Sequence, residues 1–72
     1  MKRVELRKNI ITNSGDIITK FVMLEATENG TTKATTSGID GCAEWKDHEL
    51  RMNIYDVANS CIAEGYKFYY VE

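Results

Sequence analysis

"DHELRMNIYDVANSCIAEG", residues 47 to 65, decides the fold. Stepped at about 100° per residue, Leu50, Ile54, Val57, Ala58 and Cys61 fall within one apolar stripe, the pattern of an amphipathic helix laid on a core. Asp47 stands where an N-cap belongs, its carboxylate able to accept free N–H groups of the first turn, and Glu49 adds negative charge at the positive end of the helix dipole. Gly65 ends the pattern, as glycine does just beyond a helix C-terminus. The stretch therefore predicts a helix from Asp47 to Glu64.

On either side of it the period changes to that of strands. "VELRKNIIT" (4–12) and "IITKFVMLEAT" (17–27) are rich in β-branched and apolar residues and flank the turn cluster "NSGD", which reads as a β-hairpin. "ENG" (28–30) marks a second turn, with Asn29-Gly30 suited to the positive φ angles of type I′. "TTKATT" (31–36) supplies the next strand, with Lys33 as the charge typical of an unpaired sheet edge. Gly38 and Gly41 bracket a loop, after which "CAEW" (42–45) adds a short strand or packs Trp45 inward. "YKFYYV" (66–71) returns as a final strand. The expected order is β-β-β-α-β: an α+β fold, a small two-layer sandwich of one antiparallel sheet of about four strands with one helix packed on one face.

Seventy-two residues allow a single domain, 1–72, because so short a chain cannot divide its core in two. With 43% hydrophobic and 28% charged residues and no proline, the composition is that of a soluble globular protein. The basic start "MKRVELRKN" is not followed by an apolar run, and no stretch reaches the roughly 18 apolar residues of a membrane span, so a cytoplasmic protein without membrane contact is expected. Cys42 and Cys61 are too few for a disulfide framework, and reduced thiols follow. A net charge of −2 disfavours generic nucleic-acid binding.

Chemistry-bearing residues gather in "GCAEWKDHE" (41–49), which holds Cys42, Glu44 and the single histidine, His48. Helix capping accounts for Asp47 and Glu49, and a Cys42, Glu44, His48 set offers at most three ligands where a structural zinc site wants four. If residues 47–64 form one helix, His48 and Cys61 stand about 20 Å apart and share neither a metal nor a proton. Gly38-Ile39-Asp40-Gly41 matches the G-x-x-G spacing of KH modules, but that loop joins two helices and is normally basic. There is no phosphate-binding glycine motif and no triad around the one histidine. A non-enzymatic protein with no cofactor and no metal is expected.

The second strand is apolar on both sides, with Ile18, Val22 and Leu24 on one face and Ile17, Phe21 and Met23 on the other, where a half-buried strand should alternate with polar residues. One helix covers one sheet face. Ile11, Ile17, Phe21, Met23 and Tyr69 then form an uncovered patch on the other, the expected partner-binding surface for a protein partner, a second copy, or both. The competing expectation is that the loop carrying Ile39 and Trp45 folds across that face. A further surface is the outward helix stripe of His48, Met52, Tyr55 and Asn59.

These features suit a small binding protein acting through protein–protein contacts. In size and composition it is similar to the inhibitor and accessory proteins that phages encode against host defences, an analogy only. The alternatives are an oligomer that sequesters a nucleotide or metabolite at its interface, and a single-stranded nucleic-acid binder using Arg3, Arg7, Lys67 and Tyr69.

Overall fold

A computed structural model describes residues 1–38 and 44–72. It shows five strands and one helix among those residues: β1 (Arg3–Ile11), β2 (Ile17–Ala26), β3 (Thr32–Thr36), β4 (Lys46–Leu50), α1 (Ile54–Ala63) and β5 (Lys67–Val71). The strands form one sheet in the order β4-β3-β2-β1-β5, with antiparallel pairing throughout. The fold is α+β, with five strands where four were expected.

The extra strand comes out of the stretch expected to open the helix. Residues 46–50 pair with β3, from Thr36↔Lys46 to Thr32↔Leu50, so Asp47 and Glu49 lie on a strand and cap nothing. The helix begins seven positions later than Asp47, at Ile54, because Asn53 makes the working cap: its Oδ1 accepts the Asp56 backbone N–H at 3.0 Å and its Nδ2 donates to Asp56 Oδ2 at 2.9 Å. Lys33 is consequently on an inner strand, with β4 taking the edge.

The other end of the helix is where the sequence places it. Tyr66 N–H reaches the Cys61 carbonyl at 3.1 Å and Gly65 N–H the Ile62 carbonyl at 3.0 Å, a Schellman closure that needs the positive φ of Gly65, +99°. Lys8 Nζ donates to the Glu64 carbonyl at 2.6 Å, bringing a cation to the negative end of the helix.

Both hairpins turn alike. Gly15 N–H bonds to the Thr12 carbonyl and Gly30 N–H to the Thr27 carbonyl, while Thr12 and Thr27 pair with Asp16 and Thr31 across each loop base. Only the glycines have positive φ, so Asn29 does not adopt the type I′ conformation; each loop has three residues and a glycine bulge.

Period-two alternation sends Val4, Leu6, Val22, Leu24 and Ala34 to the sheet face beneath α1, where Ile54, Val57, Ala58 and Tyr66 complete the buried core. Burying each of the larger side chains contributes about 2 kcal/mol. Thr32, also buried there, donates its hydroxyl to the Met52 carbonyl at 2.7 Å and pins the β4–α1 connection to the sheet.

β1 and β2 outrun their neighbours. β5 pairs only with Val4–Arg7 of β1, and β3 only with Val22–Ala26 of β2, whereas β1 and β2 remain paired to Ile11↔Ile17. Beyond those limits they form a two-stranded arm, in keeping with the 43 Å long dimension of the molecule. No described helix is long and apolar enough to cross a membrane.

Candidate functional site

The face turned away from α1 is built by the odd-numbered residues of β1 and β2, which share a face because directly paired residues do. The cross-strand pairs are Arg3↔Glu25, Glu5↔Met23, Arg7↔Phe21, Asn9↔Thr19 and Ile11↔Ile17. Three zones follow along the strands.

At one end the charges alternate in sign. Glu25 pairs with Lys33, and Lys33 with Glu49, while Arg3 reaches Glu25 at 3.4 Å in an exposed ion pair of small energetic worth.

The middle is aromatic. Arg7 lies on the strand between Phe21 and Tyr69, its guanidinium 4.9 Å from the Phe21 ring centroid and 3.3 Å from that of Tyr69. Its Nε donates to Glu5 Oε2 at 2.7 Å, so rings and carboxylate together fix an otherwise flexible side chain. A bulge in β5 makes this possible: Glu5 pairs with Tyr70 and Leu6 with Phe68, leaving Tyr69 as the extra residue. Trp45 stands beside Phe21, centroids 6.1 Å apart.

The third zone is the aliphatic arm tip, where Ile11 and Ile17 are 73% and 70% exposed. Met23, toward the charged end, is 39% exposed, and Tyr69 is 62% exposed.

All five residues of the expected sheet patch, Ile11, Ile17, Phe21, Met23 and Tyr69, therefore sit on the uncovered face. Phe21 is half-buried by Arg7 and Trp45, so part of the competing expectation also holds: Trp45 leans onto this face. Ile39, named with it, lies outside the described residues. The contribution of Arg7 as a clamped cation was not readable from spacing, because it depends on the bulge that delivers Tyr69.

The expected helix stripe does not form. His48 is on β4 and Met52 precedes the cap, which leaves Tyr55 and Asn59 as its two members on α1. The reason is the later helix start at Asn53. Tyr55 is engaged instead with the chain start, its hydroxyl accepting the Met1 amine at 2.9 Å.

The same shift overturns the separation expected between His48 and Cys61. His48 pairs with Ala34 and so faces the helix side of the sheet, where it and Cys61 line one cavity of about 230 Å³ with Leu50, Val57 and Glu64. Burial raises the Cys61 thiol pKa above its ordinary 9.0, and the charge of Glu64 adds to the rise; the thiol is protonated at neutral pH. Among the described residues no three His, Cys, Asp or Glu side chains are arranged to hold a metal ion. Cys42, the third member of the ligand set weighed from the sequence, lies outside them.

Comparison of the chain with protein-family models, with curated proteins and with solved structures returns no match.

Proposed function

We propose that this is a non-enzymatic binding protein that docks through the uncovered sheet face, with a second copy of itself as the first occupant and a protein target, as for inhibitor or accessory proteins, as the larger purpose. The observation that carries the reading is a set of exposed apolar side chains on one sheet face, the Ile11 and Ile17 tip and, beyond the Asn9–Thr19 pair, the group of Phe21, Tyr69, Trp45 and Met23 around Arg7, which among the described residues the helix, packed on the opposite face, does not cover. Clustered exposed apolar side chains mark interfaces, and rigid aromatic residues with a fixed arginine are the usual anchors of one.

A second copy fits for two reasons. The charged end mixes signs, so it sets up no single-sign field against an identical copy, and two-fold dimers are the commonest assembly of identical chains. The arm is also an isolated ribbon, marginal in water by itself, which gains support when its isoleucines are covered.

Native mass measurement and light scattering test this across micromolar to millimolar protein. The expected result is a dimer that Ile17→Asp reduces to monomers with unchanged circular dichroism, since that side chain is exposed and its replacement leaves the core intact. A wild-type chain that stays monomeric throughout that range would overturn the dimer, and retention of the dimer by Ile17→Asp and Met23→Asp together would remove this face as its interface.

A further inference from the structure

The two edges of the arm are not alike. β5 starts at Lys67, opposite Arg7, so from Lys8 onward one edge of β1 runs without a neighbour. There, at the foot of the arm, lies a cleft of about 480 Å³, within the size range of small-molecule sites. Arg7, Lys8 and Lys67 line it, and no carboxylate side chain does, although the chain as a whole carries a net charge of −2. We propose that this cleft binds the phosphate group of a small molecule.

The donors are held ready. Lys8 is anchored by one bond, to the Glu64 carbonyl at 2.6 Å, and an ammonium has two further protons to give. Arg7 uses Nε for Glu5 and is oriented by the Tyr69 ring, which leaves its terminal N–H groups for a ligand. Asn9 accepts from the Thr19 hydroxyl through Oδ1 at 2.9 Å, so the Asn9 amide group presents its N–H donors. Lys67 has no ion-pair partner among the described residues. Arg7, Lys67 and the Asn9 amide border the cleft from the open face and Lys8 from the helix side, with Glu5 engaging Arg7 through Nε; charge-assisted donation to a phosphate dianion satisfies such a set better than a single carboxylate does.

Two features favour a small ligand over a nucleic-acid strand. The far end of the open face alternates in sign through Glu25, Lys33 and Glu49 and offers no continuous basic track leading from this cleft. Tyr69, exposed beside the cleft, can cover a base or other planar group of one nucleotide.

Titration of the wild-type chain with pyrophosphate, ATP, adenosine and an oligothymidylate, followed by backbone amide NMR at low salt, tests the site. Pyrophosphate and ATP should move the Lys8, Asn9 and Lys67 signals and adenosine should not; a preference for ATP over pyrophosphate points to a nucleotide source, equal binding to an inorganic one, and either supports the site. Lys67→Glu, an exposed change, should weaken binding by about tenfold or more while leaving the thermal midpoint in place. No response to millimolar pyrophosphate or ATP, unchanged affinity in Lys67→Glu, or tighter binding of the oligonucleotide than of ATP would overturn the proposal. Because Arg7 and Tyr69 also belong to the docking face, the titration is repeated on Ile17→Asp, the variant expected to be monomeric; absence of binding there as well overturns the site independently of the dimer.

Discussion

Individual side chains set the conditions under which this fold holds. Cys61 is half-buried on α1 beside Glu64, and loss of water, followed by that carboxylate, lifts its pKa in the folded state above the ordinary 9.0. Tyr66, at the end of the same helix, is raised above 10.0 by burial first and then by Cys61 and Glu64. A group protonated more tightly when folded contributes stability that is complete below its unfolded pKa and is lost as pH rises through the folded value. The thermal midpoint should therefore fall as pH is raised from 8 towards 10.5, and Cys61→Ala should make the early part of that fall shallower; a flat profile in the wild type would contradict the assignment. At this scale the sequence is a good guide to direction and a poor one to company. The alternation along β2 was enough to put Phe21 and Met23 on the open face, whereas the stacking of Arg7 on Tyr69 depends on one extra residue in β5 that no local pattern announces.

Elements are legible where a single residue governs the outcome and ambiguous where two compete. Gly65 alone fits the helix C-terminus, and the first hairpin follows from its turn cluster. At the other end of the helix both Asp47 and Asn53 have capping side chains, and Leu50 suits the apolar stripe as well as it suits a strand position over Thr32. What decides is the free edge of β3: five residues with four polar side chains gain a ladder of backbone hydrogen bonds there, a benefit that depends on tertiary position and not on propensity. The consequence is measurable in the helix itself. Asn53→Ala removes the bond to Asp56 N–H and should cost about 1 kcal/mol, seen as a lower urea midpoint with an unchanged slope, while Asp47→Ala, expected from the sequence to do the same, should change the midpoint far less.

For the whole molecule the sheet's two edges divide the labour. β4 presents lysine, aspartate, histidine and glutamate, the charged side chains with which proteins discourage edge-to-edge pairing, whereas β5 is aromatic and adjoins both the candidate docking face and the basic cleft. Function, on this reading, is concentrated on the β1–β2–β5 side, and the helix and β4 serve to hold it. The topology also fixes an order of events. β1 to β4 each pair with the next strand in sequence, but β5 must return to β1, from Lys67 to Arg7 and on to Val71 and Val4, closing nearly the full length of the chain. Contacts so distant in sequence have a large loop-closure cost and form late. Phe68→Ala should accordingly steepen loss of the native state, raising the unfolding rate while leaving the refolding arm of the chevron nearly unmoved, and an equal effect on both arms would show the last strand to be part of the nucleus.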